Sequence, residues 1–187
     1  SGGGLDSEGP VTAVATSFLS PAELAQVGFR ELGRDVRVSR HATLYRASNI
    51  SIGDNSRIDD FCVLSAGDGG IVIGANVHVA VHSSLIGAGT ITVGDFCNIS
   101  SRVSLYSSND DYSGETMTNP TVEEEYKNVT HARLTLGRHV IIGSGSIVLP
   151  GLTLADGACV GALSLVNRDC EPFGIYAGVP AKRVRDR

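Results

Sequence analysis

The segment Val93–Leu105, VGDFCNISSRVSL, places an aliphatic residue at every sixth position: Val93, Ile99 and Leu105. Neither an α-helix nor a flat strand has this period. The same spacing recurs on both sides of the segment, at Ile52, Ile58, Leu64, Ile73, Val79, Leu85, Leu136, Ile142, Val148, Leu154, Val160 and Val166. A repeated hexad therefore predicts coils of three hexads that stack at the ~4.8 Å spacing of paired strands.

Two further features keep the same register. Glycine follows the aliphatic residue in several hexads, at Gly53, Gly74, Gly94, Gly137, Gly143 and Gly161. Four positions after the aliphatic residue the side chain is small or compact, as at Ser56, Cys62, Val77, Ser83, Cys97, Val103, Val140, Ser146, Ala158, Ser164 and Cys170. The cysteines have no C-x-x-C spacing, so we assign them to packing and predict neither a disulfide framework nor a metal site.

Composition fits one domain of 187 residues, with 42% hydrophobic and 5% aromatic residues, 23 glycines and no tryptophan. A thin stacked solenoid needs few aromatic residues. The net charge of -5 argues against nucleic acid as the main partner. Because no apolar run reaches the ~18 residues of a membrane span and no signal peptide is recognisable, we expect a cytoplasmic protein.

The sequence divides into three segments. Residues 1–17 have linker composition and are expected to be disordered. Residues 18–35 contain a short helix with Ser20 as N-cap, Pro21 at its first position, Glu23 in a capping box and Gly28 as its stop. Residues 36–187 form the repeat domain, which includes a C-terminal tail and a long loop at 107–132, where the spacing from Val93 to Leu136 breaks the repeat.

The hexads resemble those of the hexapeptide-repeat acyltransferases over about 150 residues, from Val36 to the C-terminus. This resemblance implies an all-β fold, a left-handed parallel β-helix, with a short N-terminal helix and one protruding loop. The tail segment Gly178-Val179-Pro180-Ala181-Lys182 is similar to the G-x-P-A-K signature that ends the maltose, galactoside and O-antigen sugar O-acetyltransferases.

The same resemblance implies a homotrimer that binds acetyl-CoA in the cleft between neighbouring subunits. Matched motif by motif, the cosubstrate contacts fall on Ser100, Ile141, Gly143, Ser144, Gly161, Ala162, Asn167, Arg168, Lys182 and Arg185. The basic residues suit the phosphates of coenzyme A. The expected activity is acetyl transfer to a saccharide hydroxyl, in the synthesis of a cell-surface polysaccharide.

Transfer to a hydroxyl requires a general base, and the family's histidine aligns with Asp110. Three explanations remain open. His78, or less favoured His82, is the base, with Asp110 or Asp111 orienting its ring. Asp110 is itself the base, with a pKa raised by burial. Or no strong base is needed, because the acceptor is the amine of an amino-sugar nucleotide.

Two other classes compete with a sugar O-acetyltransferase. A hexapeptide-repeat scaffold without catalysis would explain the missing histidine. A zinc enzyme like the trimeric γ-class carbonic anhydrases needs a third histidine at a spacing that neither His131 nor His139 reproduces. We therefore predict an enzyme without a metal, whose acceptor is a saccharide or a sugar nucleotide.

Overall fold

The computed structural model describes residues 16–187, so most of the segment 1–17 lies outside the described residues. One helix, α1 (Pro21–Val27), precedes the strands. The strands are β1 (Glu31–Leu32), β2 (Arg37–Val38), β3 (Thr43–Tyr45), β4 (Ile50–Ile52), β5 (Arg57–Ile58), β6 (Val63–Ala66), β7 (Ile71–Ile73), β8 (His78–Val79), β9 (Ser84–Gly87), β10 (Ile91–Val93), β11 (Asn98–Ile99), β12 (Ser104–Tyr106), β13 (Ser108–Asn109), β14 (Thr130–His131), β15 (Leu134–Leu136), β16 (Ile141–Ile142), β17 (Ile147–Val148), β18 (Thr153–Leu154), β19 (Cys159–Val160), β20 (Leu165–Val166), β21 (Gly174–Ala177) and β22 (Lys182–Asp186).

All strands except β13 and β14 form three sheets, one for each side of the coil. The first face contains β1, β4, β7, β10, β15 and β18, and the third face contains β3, β6, β9, β12, β17 and β20. The second face contains β2, β5, β8, β11, β16, β19 and β21, and β22 adds to its end as an antiparallel strand. Apart from β22, the strands of the three faces pair in parallel with the strands one coil away, which confirms the predicted parallel β-helix.

The hexad residues form the core. Every aliphatic residue of the repeat from Ile52 to Val166 is at most 3% exposed. Serines occupy several of the small inward positions, and their hydroxyls donate to backbone carbonyls of the corners: Ser56 to Gly74, Ser83 to Ser100, and Ser146 to Gly161, at 2.8–2.9 Å. Because these hydroxyls are satisfied, a serine costs little inside this core.

The N-terminal helix ends where its sequence predicts. The Ser20 hydroxyl accepts from the Glu23 backbone N–H, Glu23 completes the capping box, and Gly28 adopts a left-handed φ of 78°. The first face, however, already begins at β1, which pairs with β4. The solenoid thus starts ahead of Val36, within the segment 18–35.

Within residues 16–187, the insertions between coils lie at one corner of the solenoid. The short segments around Asp68 and Ala88 lie after β6 and β9, and the long loop leaves the same corner after β12. The loop contains a two-stranded antiparallel ribbon of β13 and β14 and a 3-10 turn at Glu124–Tyr126. Its base is closed by the Ala132 N–H, which donates to the Ser107 carbonyl at 3.0 Å. Within residues 16–187, no helix has the length and apolar character needed to cross a bilayer.

Candidate functional site

A row of outward-facing residues runs along the middle of the second face. Its members occupy the same register position in successive strands: Arg37, Arg57, His78, Asn98, Ile141, Cys159, Ile175 and Arg185. We call this set the second-face row. Its first members are basic, its middle members are uncharged, and its last member is basic again.

The predicted cosubstrate residues Ser100, Gly143, Ser144, Gly161 and Ala162 form a column at the corner that follows the second face. Ser100 N–H donates to Ile142 O at 3.0 Å, and Gly143 N–H donates to Val160 O at 2.7 Å. A Cβ on Gly143 would lie only 2.4 Å from the backbone nitrogen of Ala162. The structure therefore brings these positions together, and glycine is required for their close stacking.

The other predicted cosubstrate residues lie at the C-terminal end of the solenoid. Arg168 and Lys182 line a cavity of about 210 Å³, and Asn167 is the exposed residue just before Arg168. Arg185 lies opposite Ile175 in the antiparallel strand.

Neighbouring basic residues of the tail are already engaged. Arg183 pairs with Asp186, which raises the pKa of that arginine, and Arg187 donates to the carbonyls of His139 and Gly157. By contrast, the side chains of Lys182 and Arg185 make no hydrogen bond or ion pair within residues 16–187. Two cations at this end of the solenoid are thus available for an anionic ligand.

Asp110 lies at the root of the long loop, in a pocket of about 450 Å³. The pocket is lined by Ile86, Tyr106, Ser108, Asn109, Asp110, Tyr112, Leu149 and Pro150. The Asp110 carboxyl is exposed on the protomer. The single chain therefore does not bury Asp110, whereas the hypothesis of an aspartate general base requires burial.

Asp111 has a different environment, although it is adjacent in the sequence. Its carboxylate accepts from Thr116 Oγ1 at 2.6 Å and from the Ser113 N–H at 2.8 Å. These hydrogen bonds, with Thr116 as the largest cause, lower the pKa of Asp111 to about 2. Asp111 organises the loop.

Both ring nitrogens of His78 have oxygen partners. Nε2 lies 2.8 Å from Asp59 Oδ2, and Nδ1 lies 3.1 Å from Asn98 Oδ1. Asp59 is 7% exposed and also accepts from Arg57 Nε at 2.5 Å. The carboxylate beside His78 within the protomer is therefore Asp59, not Asp110 or Asp111, and both ring nitrogens lie within hydrogen-bonding distance of a side-chain oxygen.

Asp59 is not among the site residues predicted from the sequence. The available signal was its position directly after the buried hexad residue Ile58, one coil ahead of His78. That position places its carboxylate at the edge of the second face, within reach of the neighbouring strand.

The other histidines have local partners at corners and in the loop. His82 has a left-handed φ of 62° and stacks on Phe61 with 5.1 Å between ring centroids. His139 stacks on Phe96 at 4.9 Å. His131 Nδ1 lies 2.8 Å from the Ser108 hydroxyl, within the loop ribbon. The structure does not bring these rings together with His78.

Comparison with known proteins gives full-length relatives, although no protein-family model matches the chain. The dTDP-4-amino-4,6-dideoxy-D-glucose acyltransferase of Escherichia coli is 52% identical over 171 residues, which are 91% of this chain and 89% of that protein. The galactoside O-acetyltransferase of Escherichia coli K12 is 40% identical over only 53 residues, 28% of this chain and 26% of that protein.

Among solved structures, the N-acyltransferase AntD of Bacillus cereus is similar over most of its length. Its complex with dTDP and 3-hydroxybutyryl-CoA has a TM-score of 0.88 and 41% identity, and the match covers 92% of this chain and 91% of that chain. AntD variants were also solved in which a serine, or an aspartate ten positions further along that chain, is replaced. The serine-to-cysteine variant holds dTDP-4-amino-4,6-dideoxyglucose and coenzyme A.

Proposed function

The chain belongs to the hexapeptide-repeat acyltransferase family, and from this premise we propose that it transfers an acyl group from acyl-CoA to the amine of dTDP-4-amino-4,6-dideoxyglucose. The observation that carries the proposal is the 52% identity, over 91% of this chain, with an acyltransferase of that name. The similarity to a galactoside O-acetyltransferase covers 28% of the chain. An amine acceptor, the alternative in the sequence analysis, therefore replaces a saccharide hydroxyl as the main hypothesis.

The residue at position 110 agrees with an amine acceptor. A hydroxyl must lose its proton as it attacks, which is why the sugar O-acetyltransferases of this family use a histidine. A neutral amine is already nucleophilic and releases its extra proton only after the C–N bond has begun to form. A carboxylate is sufficient to hold the amine and receive that proton, so we assign this role to Asp110.

The reaction then balances without a metal. The amine nitrogen attacks the thioester carbonyl carbon and forms a C–N bond, giving a tetrahedral intermediate. The C–S bond breaks, and the coenzyme leaves as a thiolate. The nitrogen passes a proton to Asp110, and Asp110 then donates that proton to the thiolate, so that the products are an amide and the free thiol and Asp110 is ionised again.

The described residues fit the coenzyme. Ser100, Gly143 and Gly161 stand in a column with backbone close to the surface, where an extended pantetheine arm has room to lie. Within residues 16–187, Lys182 and Arg185 have no competing anionic partner, and they would hold the phosphates, with Arg168 beside Lys182. The acyl-thioester end of such an arm would then lie near Ser100.

Ser100 and Asp110 are further supported by their spacing. AntD was studied with substitutions at a serine and at an aspartate ten positions later. In this chain three serine–aspartate pairs have that spacing: Ser100 with Asp110, Ser101 with Asp111, and Ser146 with Asp156. Ser146 is buried and Asp111 is held by Thr116, which leaves Ser100 and Asp110 as the matching pair.

A homotrimer is part of the proposal. Within one chain, Ser100 and Asp110 lie at opposite ends of β12, on two different corners. In a trimer with its cleft between subunits, Ser100 of one protomer and Asp110 of its neighbour would meet at one acyl group.

The test is an acceptor comparison that follows thiol release from acetyl-CoA. We expect turnover with dTDP-4-amino-4,6-dideoxyglucose and none with dTDP-glucose, which carries a hydroxyl in place of the amine. Acylation of a hydroxyl sugar but not of the amine would instead establish an O-acetyltransferase. Coenzyme binding without turnover of any acceptor would favour the scaffold.

A further inference from the structure

Two arginines lie side by side at the N-terminal end of the second-face row. Arg37 in β2 is the direct register partner of Arg57 in β5. Like charges directly opposite each other in a sheet are destabilising unless a counter-charge is present. Both guanidinium groups also lie over the Phe18 ring, with Cζ at 6.0 Å and 5.1 Å from the ring centroid.

The local carboxylate compensates for only part of this charge. Asp59 accepts from Arg57 through Nε alone, which leaves the Nη groups of Arg57 outside that contact. The second oxygen of Asp59 faces His78. The side chain of Arg37 has no carboxylate partner within residues 16–187. The nearly buried Asp59 carboxylate thus orients Arg57, and the two guanidinium groups of Arg37 and Arg57 together keep an excess of positive charge.

These side chains line a surface pocket. Its volume is about 270 Å³, and its walls are Arg37, Asn55, Arg57, Asn76, Val77 and His78. No carboxylate is among these lining residues. Guanidinium and amide groups donate hydrogen bonds in the directions that phosphate oxygens accept them. The pocket is therefore suited to a phosphate or diphosphate group.

The pocket lies far from the basic residues assigned to coenzyme A. Arg57 and Arg185 belong to the same row but are six strand steps apart, which corresponds to about 30 Å at the usual strand spacing. The members between them are His78, which is tied to Asp59, and uncharged residues. An extended coenzyme with its phosphates at Lys182 and Arg185 leaves the N-terminal end of the row for a second phosphorylated ligand.

We infer that Arg37 and Arg57 bind the diphosphate of the nucleotide-sugar acceptor, with Asp59 and His78 as positioning residues for Arg57. This inference rests on the proposed function, because it takes the acceptor to be a nucleoside diphosphate sugar. The two substrates then enter the row from opposite ends, and their reactive groups meet near its middle, beside Asn98 and Ser100.

The experiment is a calorimetric titration of the full chain with dTDP and, separately, with coenzyme A. Arg37→Gln is the principal variant, since Arg37 is exposed and makes no ion pair with the residues from 16 to 187. Arg57→Gln is the second variant. Arg34→Gln is the matched control, because Arg34 is an exposed arginine on the same coil, paired with Asp54 outside the pocket. Circular dichroism verifies that each variant is folded.

We expect Arg37→Gln and Arg57→Gln each to weaken dTDP binding by about tenfold or more, the usual value of a charged hydrogen bond, and to leave coenzyme A binding unchanged. Arg34→Gln should bind both ligands like the wild type. Weaker coenzyme A binding with intact dTDP binding would overturn the assignment to the acceptor. Unchanged binding of both ligands to a folded Arg37→Gln variant would overturn the site itself.

A different result of the same titrations would show that the proposed function is wrong. A wild-type protein that binds coenzyme A but not dTDP would contradict the nucleotide-sugar acceptor. Inorganic pyrophosphate then tests the pocket alone: binding that Arg37→Gln weakens would support a diphosphate site, whereas binding that is insensitive to both arginine variants would exclude one.

Discussion

At Asp110 a carboxylate occupies the position where the sugar O-acetyltransferases that this chain resembles have an imidazole. The difference changes which acceptors are chemically reasonable, since a carboxylate is a weak base for a hydroxyl but an adequate acceptor for the proton of an acylated amine. In the proposed function, this residue favours an amine over a hydroxyl as the acceptor.

Asp110→Asn tests this role. We expect kcat with the amino sugar to fall by about 100-fold or more, the lower range for loss of a proton acceptor, while coenzyme A affinity stays near that of the wild type. Steady-state kinetics and calorimetry measure the two quantities. Asp68→Asn is the control, because Asp68 is an exposed aspartate at the same corner of an earlier coil. Wild-type turnover in Asp110→Asn would remove the assignment.

His78→Gln separates a base from a positioning residue. Because Asp59 and Asn98 already occupy both ring nitrogens, we expect KM for the nucleotide sugar to rise while kcat falls by less than about tenfold. A loss of kcat of about 100-fold with unchanged KM would return the role of general base to His78.

At the scale of elements, the long loop depends on an ionised Asp111. The pKa of this carboxyl is about 2, below its usual 3.8, so its hydrogen bonds to Thr116 and Ser113 are fully present above pH 4. They are lost as the pH falls towards 2. The sign follows from the lowered pKa: the folded loop favours the deprotonated form.

The Ser113 amide reports this titration. We expect its NMR resonance to shift with a midpoint near pH 2, and we expect Asp111→Asn to abolish the shift while the resonances of the coil strands stay in place. A midpoint near the ordinary 3.8 would show that the loop does not hold Asp111 in its ionised form.

At the scale of the whole molecule, the coils are stabilised by one continuous column of aliphatic side chains. Leu105 is fully buried in that column. Leu105→Ala should lower the free energy of unfolding by about 2–5 kcal/mol, as large-to-small core substitutions do. Val184→Ala, at a residue that is 64% exposed, should change it by about 0.5 kcal/mol or less. Denaturant titrations of both variants measure the difference, and similar values would contradict the packing argument.

The proposed homotrimer, with a site between its subunits, makes a prediction about mixed oligomers. Arg37→Gln and Asp110→Asn should each be poorly active alone, but co-expression with two affinity tags should yield mixed trimers in which some clefts keep both residues. We expect these mixed trimers to recover part of the wild-type turnover. Activity no higher than that of the two single variants would place both residues in one protomer's site.

The fold is predictable from the sequence because the hexad is a local pattern that repeats. Each coil needs an inward aliphatic residue and a small residue at fixed spacings, so the period alone identifies which residues are buried and where the loop interrupts them. The same register brought Ser100, Gly143 and Gly161 into one column, since residues at equal positions in stacked coils must be neighbours.

The sequence by itself thus determined the solenoid, its core and the stacking of the predicted coenzyme residues. Only the tertiary structure decided which polar side chains pair with each other. The partners lie on neighbouring coils or on different faces, and the hexad spacing does not specify such pairs. The tertiary structure paired His78 with Asp59 and set Arg37 beside Arg57. It also gave the adjacent residues Asp110 and Asp111 different environments: Asp111 accepts a hydrogen bond from Thr116, and Asp110 is exposed. The chemistry of a β-helix surface depends on which side chains of neighbouring coils come into contact, and those contacts exist only in the folded protein.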